Sequence, residues 1–374
     1  MKKAVKVAAI MAAAVVVITV ILFVAVPSTT SKQAETKLSE ALAGAGIPKD
    51  MWSAEKVYYV PLLGHLVVEN FKIGEQGGDT ILQAKKVTLA LDTRSEDLFA
   101  GSAEAQGLSF SADDAGISVK NLSVKNFSVD KALFKYSPFE AVKKLGNISL
   151  SGAVFRQKGR TYFSLGGLNA DIGYVEGKLP LSSSLVLKDF VMDVRQFAPL
   201  PALRPEYRLA NFEIRNSVSA GVYKINLVID GTNLFAIKAA LGISVPAEFL
   251  ASGDISHLSA FDYEEDVKLD SFSLTYTDKS FLDHVFELAG ISGGRAGAAE
   301  QFGDSLPIFA LIDGGADAKR FHDAVAQFIA KPGMFELKTN IASPLSFDDI
   351  SQNPLALNVS LSINGGKPFT TGKN

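Results

Sequence analysis

The stretch Asn121-Leu122-Ser123-Val124-Lys125-Asn126-Phe127-Ser128-Val129 sets apolar side chains two residues apart in each of its halves. A period of two belongs to a β-strand with one buried and one wet face. The same alternation spreads in both directions. Upstream it appears at Val67/Phe71/Ile73, Val87/Leu89/Leu91, Leu108/Phe110 and Ile117/Val119. Downstream it appears at Ile148/Leu150, Leu168/Ala170/Ile172, Leu185/Leu187, Phe190/Met192/Val194, Phe212/Ile214 and Tyr223/Ile225/Leu227/Ile229. It returns at Phe272/Leu274/Tyr276, Phe335/Leu337 and Leu355/Leu357/Val359/Leu361/Ile363. Gly, Asn and Asp fill the gaps, as antiparallel turns require.

A short pattern of Asn, apolar, any residue, apolar repeats from Asn70, Asn121, Asn126, Asn147 and Asn211. Two readings are open. Asn is a common turn residue ahead of a strand, or the pattern marks a stack of similar strand units. Helical stretches frame the strands. Lys32 to Ala43 is rich in helix formers and ends at Gly44 and Gly46. Asp278 to Ala289 reads as an amphipathic helix with Phe281, Val285 and Leu288 on one face. Gly290 to Ala299 reads as a flexible loop. Ala316 to Ala330 reads as a second helix, with Phe321, Val325 and Phe328 aligned and Lys331-Pro332-Gly333 as its stop.

The N-terminus opens with Lys2, Lys3 and Lys6, followed by Val7 to Val26 without a charge and then Pro27. Twenty residues at ~1.5 Å each match a hydrocarbon core of about 30 Å. The sequence therefore predicts a single transmembrane helix, its basic tail cytoplasmic and its C-terminal body exported. A cleaved signal peptide is the competing reading, but the apolar run is long for one and Val24-Ala25-Val26-Pro27 is a poor cleavage site.

Composition narrows the chemistry. The chain has 374 residues, 47% hydrophobic and 21% charged, which suits a folded protein and not a disordered one. Beyond residue 26 there are 34 basic against 40 acidic residues, so no polybasic surface points to nucleic acid, and overall charge does not draw the body to anionic headgroups. Cysteine is absent, which excludes disulfides, a thiol nucleophile and cysteine metal ligands. His65, His257, His284 and His322 are scattered without metal spacing. Gly173-Tyr174-Val175-Glu176-Gly177-Lys178 is one residue short of a phosphate loop and reads as a turn. Ser53-Ala54-Glu55-Lys56 has the Ser-x-x-Lys form, yet the companion motifs are missing. The acidic pairs Glu264-Glu265 and Asp348-Asp349 read as solvated loops. The expectation is a non-enzyme with no cofactor; a hydrolase ranks last. Phenylalanine dominates the aromatics, with 25 residues against nine tyrosines and one tryptophan, which suits a core or an acyl chain better than a sugar.

Two stretches carry a resemblance. One runs from Val57 to Ile73 (Val-Tyr-Tyr-Val-Pro-Leu-Leu-Gly-His-Leu-Val-Val-Glu-Asn-Phe-Lys-Ile). The other runs from Ile81 to Asp92 (Ile-Leu-Gln-Ala-Lys-Lys-Val-Thr-Leu-Ala-Leu-Asp). With the N-terminal run before them, they resemble the opening of AsmA-like envelope proteins over residues 1–130. That resemblance implies inner-membrane anchoring, a β-sheet curled into an apolar groove, and a part in moving phospholipid or maintaining the outer membrane. The chain is much shorter than the long members, and its C-terminal helices have no place in the family pattern.

The expected fold is α+β and β-dominant: a transmembrane helix, an elongated, mostly antiparallel curled β-sheet, and a C-terminal helix pair. The expected divisions are 1–27 for tail and anchor, 28–277 for a periplasmic groove-like body, and 278–374 for the helix pair and closing strands. The expected function is binding or passing on lipid at the periplasmic side of the inner membrane. The partners would be the membrane, phospholipid and other envelope proteins, with no nucleic acid. A non-catalytic scaffold for a protein partner is the alternative. Candidate lipid-binding residues are Phe71, Ile73, Val87, Leu89, Leu91, Leu122, Val124, Phe127 and Val129. If they line a groove, glutamate at Leu89 or Val124 is expected to spare the fold, because water and headgroups reach it.

Overall fold

The computed structural model describes residues 31–44, 47–60, 64–74, 80–92, 98–112, 114–130, 142–178, 180–193, 206–219, 221–246, 265–302 and 316–370. The chain divides into two compact units, Met1–Glu176 and Gly177–Asn374. That division falls inside the 28–277 body.

The first unit opens with helix α1 (Ser31–Gly44), whose Ala34, Leu38 and Leu42 recur every four residues and are fully buried. Two short strands, β1 (Trp52–Ser53) and β2 (Lys56–Val60), both pair with β3 (His65–Gly74). An antiparallel meander follows: β4 (Thr80–Asp92), β5 (Leu98–Ala112), β6 (Ala115–Asp130), β7 (Val142–Gln157) and β8 (Arg160–Val175). Lys158 and Gly159, both at positive φ, make the two-residue turn between β7 and β8.

These strands are longer than the alternation predicts. Leu122/Val124 and Phe127/Val129 belong to one strand, β6, as do Ile117/Val119. The inward face is recorded by a spacing of two, three, two. Leu66, Val68, Phe71 and Ile73 join one hydrophobic cluster; so do Leu82, Ala84, Val87 and Leu89, then Ala103, Ala105, Leu108 and Phe110, then Ile117, Val119, Leu122 and Val124. Val67, expected beside Phe71, is buried outside that cluster.

The phase change has a backbone cause. The register places Asn70, Lys85, Gly107, Lys120 and Gly152 opposite one another in a single row across β3 to β7. Asn70, Gly107 and Gly152 have φ of 48°, 60° and 62°. A left-handed residue re-aims the strand as a bulge does, so the same face stays inward beyond it. Both strands of each pair change phase at the same row, so pairing continues unshifted, with Glu69 on Lys86 before it and Phe71 on Ala84 after it. A true register shift occurs elsewhere, where Gly101 faces Phe127 but Ser102 faces Lys125, leaving Asn126 at φ 55° as the extra residue.

All five patterned asparagines lie inside strands and none precedes one. Two of them, Asn70 and Asn126, serve through their tolerance of positive φ.

The second unit runs through β9 (Ser182–Asp193), β10 (Glu206–Ser219), β11 (Val222–Asp230), β12 (Phe235–Ser244) and β13 (Lys268–Asp278), each antiparallel to the next. Helices α2 (Phe281–Leu288), α3 (Gly294–Phe302) and α4 (Ala316–Ala330) follow. β14 (Met334–Thr339) and β15 (Leu345–Ser346) pair with β13; then come α5 (Phe347–Gln352), β16 (Val359–Ile363) on β14, and β17 (Phe369–Thr370) on β16. Phe286, Ala298, Phe321, Val325, Ile329, Leu361, Ile363 and Phe369 form its core. Phe321 meets Phe369 edge to face at 5.3 Å.

The expected fold class needs correction. The sheet is β-dominant and antiparallel as expected, but among the described residues no helix is long and apolar enough to cross a membrane. The predicted span, Val7 to Val26, lies outside the described residues. Among the described residues, the C-terminal helix pair is a set of three, with short α5 as a fourth.

The reason lies in the small residues of Gly290 to Ala299, which read as a loop. They allow close approach: Ala298 has no exposed surface, and a Cβ on Gly297 would lie 1.9 Å from the Ser292 carbonyl oxygen. Helix α2 is also turned from its predicted face. His284 and Phe286 are buried, while Val285 and Leu288 are 36% and 41% exposed. With only eight residues, its rotation is set by what holds it from outside.

Candidate functional site

The strongest candidate is the inward apolar face of the first unit. Its β3–β5 part is a closed core. Phe71, Val87 and Leu89 have at most 1% of their surface exposed, and Ile73 is buried with them. Trp52 caps this end, its ring 6.2 Å from that of Phe71 and the Lys49 ammonium 3.5 Å above it. Helix α1 packs beside β2.

Towards β6 and beyond, the same face is less covered. Phe127 and Val129 are buried, but Leu122, Val124, Leu145, Leu150 and Leu165 are only partly so. No described helix is packed along β6 to β8. Six of the nine candidate lipid contacts are therefore packing residues, and two, Leu122 and Val124, stand on the open stretch. Leu91 falls in β4, with its side chain outside the described residues.

Leu145, Leu150 and Leu165, absent from the sequence-based set, extend that stretch. Their signal was present in the two-three-two spacing, which counts a polar pair such as Ser151-Gly152 as part of the strand.

The Ser-x-x-Lys pair, the histidines and the acidic pairs are dispersed. Ser53 and Lys56 lie on separate strands, β1 and β2, and Lys56 Nζ is 4.0 Å from Glu69. Glu69 also accepts a hydrogen bond from the Tyr58 hydroxyl at 3.0 Å, which raises the Tyr58 pKa. His65 begins β3. His257 and Glu264 lie outside the described residues. His322 Nδ1 is 3.4 Å from Asp323. His284 is buried with neither ring nitrogen hydrogen-bonded.

Asp348 and Asp349 stand in the first turn of α5, not in a loop. Asp349 accepts from Ser346 N at 2.9 Å while its own N–H donates to Ser346 Oγ at 3.0 Å, a capping box. Gly173 lies within β8 at φ 59°, and Gly177 is at φ 72° just beyond it. Among the described residues no group of three His, Cys, Asp or Glu side chains is placed to hold a metal ion.

Residues 228–364 match a family model described as "Uncharacterized protein". The match lies in the second unit. It does not reach residues 1–130, where the AsmA-like resemblance is found. No curated protein matches the chain.

Proposed function

We propose that this is a cell-envelope protein that binds lipid, or passes it on, through the open part of the first unit's apolar face. The observation that carries the reading is the run of only partly buried Leu122, Val124, Leu150 and Leu165 beside a fully packed core. A sheet face of this composition, with no helix packed on it among the described residues, suits acyl chains. The resemblance of residues 1–130 to AsmA-like proteins supports the same reading, and the basic tail with its uncharged run supports a place at the inner membrane with the body periplasmic.

Native mass spectrometry of the detergent-purified full chain tests the reading by its co-purifying lipid. Bound phospholipid is expected; a chain that carries none, and takes up none from mixed micelles, overturns it. A reporter active only in the periplasm, fused after Asn374, tests the location, and an inactive fusion overturns that part.

The second reading is a scaffold for an envelope protein. It is favoured by Phe347 and Leu355, which are 60% and 50% exposed on adjoining turns.

A further inference from the structure

The opposite, wet face of the first unit carries a different feature. In the row that crosses β3 to β7, lysines alternate with left-handed or glycine positions: Asn70, Lys85, Gly107, Lys120, Gly152. Each lysine stem lies on the glycine of the next strand. A Cβ on Gly107 would be 2.7 Å from Lys85 Cγ, and one on Gly152 would be 3.0 Å from Lys120 Cβ. The glycines therefore do two things. They turn the strand, and they leave the room in which the lysines lie flat, both pointed the same way.

At a strand spacing of about 4.8 Å, the two lysines stand roughly 10 Å apart. Between β3, β4 and β5 the row opens into a shallow hollow of about 200 Å³ lined by Asn70, Phe71, Lys72, Gln83, Ala84, Lys85 and Gly107.

Charge on this face is unbalanced. Its carboxylates already have partners: Glu55 accepts from the Asn70 amide, Glu69 holds Tyr58 and Lys56, and Glu104 is 3.6 Å from Lys125. Lys72, Lys85, Lys86 and Lys120 have no carboxylate partner among the described residues. A mildly acidic body thus presents six lysines against three carboxylates on one patch, a surplus of three cations, amid Ser, Asn and Gln.

We infer that this patch docks on the anionic phosphate layer of a phospholipid surface, with one headgroup phosphate seated in the hollow between Lys72 and Lys85. Flat-lying cations in a straight row match a plane of phosphates, and the absence of aromatic side chains in the row gives nucleic-acid bases nothing to stack on. The inference does not depend on what the apolar face holds.

The test is flotation of the full chain with vesicles of phosphatidylcholine alone and of phosphatidylcholine with 30% phosphatidylglycerol. The uncharged N-terminal run contributes to both and Lys2, Lys3 and Lys6 add to the anionic increment, so the part of that increment lost in the triple variant reports the patch lysines. The anionic increment should fall about fivefold for each of Lys72→Gln, Lys85→Gln and Lys120→Gln. It should return with Lys→Arg and vanish in 0.5 M salt. Circular dichroism should be unchanged, since these side chains are exposed. An absent increment, or one equal in wild type and the triple variant, overturns the inference. Competition by millimolar glycerol phosphate would make the patch a site for free phosphate esters. Lysine-dependent retention on polyglutamate without a vesicle effect would make it a site for acidic protein. Either result overturns the membrane assignment.

Discussion

Arg295 closes on a carboxylate, that of Asp278, which has no exposed surface of its own. The same guanidinium bonds Asp283 and donates to the Ile329 carbonyl at 3.2 Å. Asp278 accepts in addition from the Leu282 N–H at 3.1 Å and the Tyr276 hydroxyl at 3.0 Å. One ion pair thus ties the end of β13 to α2, α3 and α4. Burial and the Asp278 charge together push the Tyr276 pKa well up.

Asp278→Ala would leave a nearly buried guanidinium with one carboxylate, Asp283, and the Ile329 carbonyl, and would leave the Leu282 N–H and Tyr276 hydroxyl without their acceptor. Removing one member of a buried pair costs about 3–5 kcal/mol. Hydrogen exchange across 281–302 should accelerate accordingly, and Asp278→Asn should do less harm because it keeps an acceptor. Unchanged exchange in Asp278→Ala would show that the helices are held by their apolar contacts alone.

Leu89→Glu and Val124→Glu should part company. Leu89 is fully buried, so a carboxylate there is an unpaired ion in a closed core, and the protein should lose protease resistance. This reverses the expectation that sequence alone gives for Leu89. Val124 is half-buried; its glutamate should keep the fold and lower co-purifying lipid severalfold. If Val124→Glu also unfolds the protein, the open stretch is a core and the scaffold reading gains.

Gly107→Ala places a side chain at φ 60° and against the Lys85 stem. The left-handed backbone costs an ordinary residue about 1–2 kcal/mol. Denaturant unfolding followed by Trp52 fluorescence should show a loss of that order, and Gly107→Asn a smaller one. A midpoint equal to wild type in Gly107→Ala would mean that the sheet turns without this residue.

The Asp349 cap has a pH signature. Hydrogen bonds from the Ser346 backbone and hydroxyl lower its pKa from the ordinary 3.8. A group depressed in the folded state stabilises above its unfolded pKa and stops doing so as pH falls through the folded one. Asp349→Ala should therefore speed amide exchange in Phe347–Gln352 at neutral pH. The difference should shrink as pH drops below 3.8 and disappear below the folded pKa. A difference independent of pH would assign the effect to helix propensity instead.

The sequence by itself determined that the body is antiparallel β, because period-two alternation is local and leaves few other ways to bury one face. It also determined helix α1 and the long helix α4, whose apolar stripes at Ala34/Leu38/Leu42 and Phe321/Val325 are complete within each element. Tertiary structure decided the rest. Whether Leu122 and Phe127 share a strand turns on Asn126 adopting positive φ, and the same local sequence is equally compatible with a turn. Gly294–Phe302 is helical because Ala298 packs and Arg295 finds Asp278 and Asp283, contacts made with residues distant in the chain. Leu89 and Val124 have the same alternation and opposite candidate roles, because burial depends on what lies over a residue and not on the strand that carries it.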